Sequence, residues 1–204
     1  MVYLTQGIVL ALYTAILPGP FQAFVLSQSL QNGWHRTQPL AFVPLLTDLP
    51  VMLLMLGLLA QVPVWLMDYL RFAGGIYLLY LSWNTFQFYK TPASLPALPS
   101  ESNHRSFFQS IWINYLNPNV YIFWGTVGVP IILKGLESSA AQGISFIIGF
   151  YLTLVVVLSI MIYLFGSVGQ LNPRVQRFLG LFLTVLLFCF GGYMIWQSIK
   201  IWVA

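Results

Sequence analysis

Six long apolar stretches constrain the fold of this 204-residue chain more than any other feature. They are residues 4–30, 39–60, 69–89, 107–133, 143–166 and 178–203. A helix needs about 20 mainly apolar residues to cross the roughly 30 Å hydrocarbon core of a bilayer. Because lipid cannot satisfy backbone hydrogen bonds, each stretch is predicted to be a transmembrane helix. The fold class is therefore predicted to be an all-α integral membrane protein of about six transmembrane helices.

The composition excludes a soluble domain. Hydrophobic residues make up 59% of the chain and charged residues 6%, whereas soluble domains average about 45% to about 50% apolar and about 25% charged residues. A run such as residues 147–166 is apolar on every face, unlike the alternating strands of a membrane barrel. The basic residues are scattered singly between apolar runs, so the net charge of +4 predicts no nucleic-acid partner.

A polar interval divides the chain into two halves of three spans each. Residues 90–106 are rich in proline and serine, which is typical of an irregular surface loop. Residues 1–89 and 107–204 are then predicted to be two three-helix repeats within one transmembrane domain, residues 1–204. Because three is odd, the two repeats would be inverted relative to each other, as in many secondary transporters.

The first span of each half contains a proline break. In the first break, Pro18 precedes Gly19, which can leave the helical conformation, and Pro20, which suits the first residue of a new half-helix. In the fourth span, Asn117 is a predicted N-cap, followed by Pro118 in the first helical position. Both breaks are therefore predicted to start a helix inside the membrane. The alternative is that these prolines only kink a packed helix or form an interfacial turn.

The predicted breaks suit a zwitterionic ligand. A helix N-terminus presents unpaired N–H groups and about half a positive charge, which can hold an anionic group such as a carboxylate. The half-helix before the break ends in free carbonyl groups, which suit an ammonium group. A small amino acid would find a partner for each of its charges at such a site.

Asp48 is the only carboxylate well inside a predicted span. An aspartate at a helix centre costs roughly 2.5 to roughly 3.5 kcal/mol on insertion scales, so such a residue usually faces a cavity or a partner. Asp48 is predicted to bind a substrate ammonium or to exchange a proton. The alternative is a protonated Asp48 that is hydrogen-bonded to a neighbouring helix. An Asp48→Asn change separates these readings, because only the first predicts a loss of transport.

Motifs for other chemistries are missing from the sequence. His35 and His104 lie away from any cysteine or carboxylate at metal-ligand spacing, and no nucleotide-binding loop or Ser/His/Asp set occurs. No metal, no cofactor and no enzymatic activity are therefore expected. Cys189 is the only cysteine, which excludes an intrachain disulfide. Residues 1–20 lack a signal-peptide pattern and are expected to remain as the start of the first span.

Charge and residue size give three further expectations. Lys and Arg are more frequent in the loops after the first, third and fifth spans, which predicts that these loops are cytoplasmic and that both termini lie outside. Three carboxylates near span ends or in loops are expected to be solvated: Asp68, Glu101 and Glu137. Small residues are expected to allow close helix packing. They are Gly74, Gly75, Ser145, Gly149, Gly191 and Gly192.

Taken in order, these elements resemble the LysE/RhtB family of small bacterial inner-membrane exporters over nearly the whole chain. The elements that carry the resemblance are Pro18-Gly19-Pro20, Ser29-x-x-x-Gly33, Asp48, Gly74-Gly75-Ile76-Tyr77-Leu78 and Asn114-Tyr115-Leu116-Asn117-Pro118. The chain departs from the family pattern at Pro44 and Thr47, where glycines are common, and at Asn119, where lysine is usual. The fifth span also lacks an acidic residue that is often found there.

The resemblance implies a secondary transporter that exports amino acids or related small zwitterionic metabolites across the bacterial inner membrane, driven by an ion gradient. The residues that it implies for substrate binding are Pro18, Gly19, Pro20, Asp48, Asn114, Asn117 and Pro118. The implied partners are the amino acid and membrane lipid, and a homodimer is left open. Two alternatives remain: an inorganic-ion exporter of related fold, and a membrane subunit that scaffolds a partner and transports nothing.

Overall fold

The computed structural model describes residues 2–16, 19–57, 64–90, 103–171 and 173–203. Across these ranges the chain is helical apart from short connections and contains no strand. The prediction of an all-α fold is confirmed for this part of the chain.

The described ranges form ten α-helices with two short segments of other helix types. The α-helices are α1 (Val2–Ile16), α2 (Pro20–Asn32), α3 (Trp34–Thr37), α4 (Val43–Gly57), α5 (Val64–Lys90), α6 (Asn103–Tyr115), α7 (Pro118–Phe123), α8 (Val129–Ser138), α9 (Ala140–Leu171) and α10 (Pro173–Val203). A 3-10 helix (Gln38–Phe42) joins α3 to α4, and a π-helix (Trp124–Gly128) joins α7 to α8.

Four continuous helical stretches of the described chain are long and apolar enough to cross a membrane. They are Trp34–Gly57, Pro118–Ser138, Ala140–Ser167 and Arg177–Ile201. Helices α1 and α2 form a fifth candidate if the pair, bent by 65°, is counted as one broken span. Helix α5 covers the third predicted span, but its Tyr, Trp, Asn and Gln side chains lower its hydropathy. The described residues therefore contain four or five candidate membrane spans, and the six-span inverted repeat remains a prediction.

The fourth predicted span, residues 107–133, is interrupted at the predicted break. Helix α6 ends at Tyr115, Asn117 has an extended backbone, and the membrane-length stretch begins at Pro118. The predicted loop 90–106 is also shorter than expected, since α6 begins at Asn103, after the last proline of that interval. Residues 91–102 lie outside the described residues.

Glycines bring pairs of helices into backbone contact, as expected. Gly75 on α5 faces the backbone of Gly191 on α10, and Gly149 on α9 faces the carbonyl of Leu4 on α1. These two pairs, α5 with α10 and α1 with α9, share the most extensive contacts in the described fold. Gly192 contradicts the packing prediction, because nothing lies within 4 Å of the position a Cβ would take. One residue along a helix turns the side chain by about 100°, which points Gly192 away from α5.

Asp68 also differs from its prediction. It is 4% exposed rather than solvated, and its Oδ1 lies 3.0 Å from Nη1 of Arg71. Its backbone carbonyl accepts a hydrogen bond from Ser198 of α10 at 3.0 Å. Asp68 is buried because α5 begins at Val64, earlier than expected, and packs against α10 there. Glu137 is exposed as predicted, and Glu101 lies outside the described residues.

Candidate functional site

A cavity of about 470 Å³ lies where the start of α2, the middle of α4, the end of α6 and the start of α7 meet. Its volume falls in the range of about 300 to about 1,000 Å³ that is typical of small-molecule sites. Its lining includes Tyr13, Thr14, Gly19, Pro20, Phe21, Gln22, Pro44, Asp48, Asn114, Asn117, Asn119, Val120, Phe123, Trp124, Phe150, Leu154, Leu158 and Phe190. The cavity thus brings together residues from both predicted helix breaks with the aspartate of the second predicted span.

The first break begins a helix, as predicted. Gly19 is extended, with φ −113° and ψ 176°, and Pro20 is the first residue of α2. No side chain among the described residues caps this helix, so its first N–H groups receive no side-chain hydrogen bond at the cavity wall. Pro18 lies outside the described residues.

Gln22 bridges the first break and was not predicted from the sequence. Its Nε2 donates a hydrogen bond of 2.8 Å to the carbonyl oxygen of Thr14, in the last turn of α1. One of the carbonyls expected to suit an ammonium group is therefore already bonded to a protein donor. A Cβ on Gly19 would lie 2.8 Å from Oε1 of Gln22, so glycine at this position allows the close approach.

The second break also begins a helix, and Asn117 is its N-cap as predicted. The Asn117 side chain accepts a hydrogen bond of 3.1 Å from the backbone N–H of Asn119. Pro118 is the first helical residue and is buried next to the cavity rather than lining it. The Asn117 side chain already accepts a hydrogen bond from one of the first N–H groups of α7, whereas no described side chain accepts from those of α2. The start of α2 is therefore the better site for an anionic group.

Asp48 lies in the cavity wall and is 7% exposed. Nδ2 of Asn114 donates to Oδ1 of Asp48 at 2.6 Å and lies 2.5 Å from the hydroxyl of Thr47. Thr47 in turn donates to the carbonyl of Val43 at 3.0 Å. The Asp48 side chain thus both faces the cavity and accepts a hydrogen bond from a neighbouring helix. The bonds from Asn114 end on Oδ1, which leaves Oδ2 for a ligand.

Trp124, in the π-helix, is a site residue that sequence reasoning missed. It is 0% exposed, and its indole N–H lies near the Asp48 carboxylate without forming a hydrogen bond to any described residue. A Cβ on Gly128 would contact the indole ring, so that glycine gives the ring its space. Tyr151 of α9 stacks on Trp124 at 5.9 Å, and its buried hydroxyl also has no partner within the described ranges. π-helices are frequent at functional sites, but a π-turn has no clear sequence signal.

The charged and polar groups of the cavity lining indicate what kind of ligand it suits. Asp48 is the one charged residue among the described residues that line it, and the other polar side chains carry amides, the hydroxyls of Tyr13 and Thr14, and the indole N–H of Trp124. The described part of the chain holds no group of three or more His, Cys, Asp or Glu residues that could bind a metal ion. The inorganic-ion alternative therefore gains no support from these residues. One carboxylate beside free helix N–H groups and aromatic rings suits a small ligand with one ammonium group.

Comparison with known proteins finds a matching family model and a similar efflux protein. The family model of the LysE type translocator matches residues 12–198. A cysteine/O-acetylserine efflux protein of Escherichia coli O157:H7 is 28% identical over 184 residues, which cover 86% of this chain and 87% of that protein. No solved structure matches the chain.

Proposed function

Because this chain belongs to the LysE type translocator family, we propose that it exports small amino acids, or closely related zwitterionic metabolites, across the bacterial inner membrane. Proteins of this family are transporters rather than enzymes, and the similar Escherichia coli protein is an efflux protein. The family match gives a translocator, and the proposal adds the chemical class of the solute. The observation that carries it is the pairing of one carboxylate with an uncapped helix N-terminus in a single cavity.

Each part of the solute has a partner in the cavity. The ammonium group binds Oδ2 of Asp48, while Asn114 holds the carboxylate through Oδ1. The solute carboxylate binds the first N–H groups of α2, where the helix dipole favours a negative charge. A small apolar side chain packs against the rings of Phe123, Phe150 and Phe190.

The proposed transport cycle is alternating access around the two broken helices. In this arrangement α1 with α2 and α6 with α7 are the broken first and fourth spans of two inverted repeats, and both termini lie outside. An ion gradient supplies the energy, with Asp48 as the group that exchanges solute for the coupling ion. Breaks of this kind at the centre of inverted repeats are typical of secondary transporters.

The test is amino-acid efflux from intact cells. Cells with the chain and cells with an empty vector are loaded with labelled cysteine, O-acetylserine, serine, alanine, homoserine or lysine, and the loss of label is followed. We expect faster efflux of one or more of the neutral amino acids, because the cavity carries a single carboxylate. Equal efflux from both kinds of cell for the whole panel would contradict the proposal and would favour a non-transporting membrane subunit.

The buried indole N–H of Trp124 gives a prediction within the same assay. A Trp124→Phe variant keeps an aromatic ring beside Phe150 and Tyr151 but loses the donor next to Asp48. We expect export to fall about tenfold, because the indole N–H bonds to no described residue and can donate to a charged group of the bound solute, and such a hydrogen bond contributes about 1.5 to about 3 kcal/mol. The measurement is the initial efflux rate, normalised to the amount of protein in the membrane. Unchanged export in this variant would remove the indole N–H from solute binding.

A further inference from the structure

A second group of polar side chains lies on α2 and α6, away from the cavity, and all of them are buried except Asn32, which is half-buried. We define it as the inner polar cluster, which consists of Gln28, Asn32, Ser106 and Gln109. We propose that the inner polar cluster is a second binding site for the exported solute, separated from the cavity by about two turns of α2 and of α6. This inference rests on the proposed function and adds a site to it.

One hydrogen bond of the cluster joins the two helices, and a second lies within α2. The hydroxyl of Ser106 donates to Oε1 of Gln28 at 2.7 Å, and Nδ2 of Asn32 donates to the same oxygen at 2.8 Å. None of the four side chains carries a charge, so the cluster offers amide and hydroxyl groups to a solute. Uncharged groups of this kind can bind both the ammonium and the carboxylate of an amino acid without trapping either.

The cluster is also incompletely bonded. Gln109 lies one turn along α6 from Ser106 and is 7% exposed, and its Oε1 has no hydrogen-bond partner within the described ranges. An unsatisfied polar group away from water is destabilising unless it finds a partner. The free acceptor of Gln109 therefore suits a donor that arrives with a solute, such as an ammonium group.

The geometry of two helices connects the cluster to the cavity. Helix α2 begins at the cavity with Pro20 and reaches the cluster at Gln28, whereas α6 passes the cluster at Ser106 and reaches the cavity at Asn114. Each pair of positions is eight residues apart, or about 12 Å along a helix. The two helices thus run in opposite directions between the same two places, and together they form one wall of a path.

Phe24 lies between the two sites along α2. It is four residues before Gln28 on the same face of the helix and is fully buried. In the proposed path, a solute that passes from the cluster to the cavity displaces this ring, which makes Phe24 the barrier between the two sites. Two sites with a closed barrier between them are what alternating access requires.

Cysteine labelling tests whether the cluster can be reached from the membrane side opposite the cavity. Cys189 is the only cysteine, so a Cys189→Ser chain provides a background without thiols. Ser106→Cys in this background reports on the cluster, and Asn119→Cys, an exposed residue of the cavity wall, reports on the cavity. Ser82→Cys is the matched control, because Ser82 and Ser106 are both 4% exposed and Ser82 bonds only a backbone carbonyl between α5 and α10.

A membrane-impermeant, cationic thiol reagent is applied to intact cells and to inverted membrane vesicles. We expect the Ser106→Cys and Asn119→Cys chains to react from opposite faces, and Ser106→Cys to react at least about tenfold faster than Ser82→Cys, because opening of the path exposes only the former. Reaction of Ser106→Cys no faster than the control on either face would overturn the inference, as would reaction from the same face as Asn119→Cys. The labelling needs no solute, so it can fail while amino-acid export stands.

A second variant tests binding itself. Gln109→Leu removes an acceptor that bonds to no described residue, so a purely structural cluster would tolerate it well. In inverted vesicles we expect a half-saturating concentration about tenfold higher for each panel amino acid that the wild type transports, with the maximal rate kept, because a lost hydrogen bond to a charged group contributes about 1.5 to about 3 kcal/mol. An unchanged half-saturating concentration would remove Gln109 from the solute path.

Discussion

An Asp48→Asn chain is expected to reach the membrane in normal amounts and to export none of the panel amino acids at a measurable rate. Asparagine has nearly the same shape as aspartate, and its side-chain oxygen can still accept the hydrogen bond from Asn114. The variant loses the one negative charge of the described cavity lining. A charge-assisted bond of about 3 kcal/mol corresponds to a loss of about 100-fold in binding. The measurement is initial efflux at equal membrane levels of the two chains.

Glu137→Gln is the matched control for this experiment. It removes one carboxylate charge in the same way, but Glu137 is exposed at the end of α8 and does not line the cavity. We expect its efflux to equal that of the wild type. This result would show that the loss of export in Asp48→Asn depends on where the carboxylate lies and not on the change in net charge. Wild-type efflux from the Asp48→Asn chain would show that the carboxylate has only a structural role. It would also remove the proposed partner of the solute ammonium.

A Gly75→Ala chain is expected to unfold at a clearly lower temperature than the wild type. The new Cβ would lie 2.6 Å from Cγ1 of Ile195 and 2.8 Å from the carbonyl oxygen of Gly191, both on α10. Since a backbone oxygen cannot move aside alone, α5 and α10 must separate. Overpacking of this kind costs about 1 to about 3 kcal/mol, or about 2 to about 4 °C in melting temperature for each kcal/mol in a chain of this length. The measurement is the thermal midpoint of the detergent-purified protein.

Gly192→Ala supplies the control for the packing of α5 on α10. Gly192 directly follows Gly191, which Gly75 contacts, but a Cβ on Gly192 would meet nothing within 4 Å. We expect its thermal midpoint to equal that of the wild type or to rise slightly, because alanine favours a helix more than glycine does. Equal midpoints for the Gly75 and Gly192 variants would contradict the close contact between the two helices.

Local backbone constraints made the helix breaks predictable from the sequence. Pro20 and Pro118 each follow a residue that can leave the helical conformation, Gly19 or Asn117, and proline is favoured as the first residue of a helix because its missing N–H would be unpaired there. Asn117 as an N-cap follows from the same local chemistry, because its side chain reaches an N–H only two residues away. These features depend on a few neighbouring residues and on no distant part of the chain.

Distant contacts were not predictable in the same way. Asn114 bonds Asp48 across 66 residues of sequence, and Ser106 bonds Gln28 across 78. The family resemblance predicted Asn114 as a site residue but not its contact with Asp48, and nothing predicted a role for Gln28. The polarity of a side chain does not show which distant residue it will contact. The burial of Asp68 was missed for a related reason: it depends on where α5 begins, and helix boundaries are the least certain part of a sequence prediction.

The most direct test of amino-acid export is transport by the purified chain alone. The protein is reconstituted into liposomes that are loaded with one unlabelled panel amino acid, and a trace of the same labelled amino acid is added outside. We expect the label to accumulate transiently inside through exchange, and we expect no accumulation with Asp48→Asn. Liposomes with correctly folded wild-type protein that exchange none of the panel amino acids would contradict the account, because the cavity around Asp48 would then not be a site for amino-acid translocation.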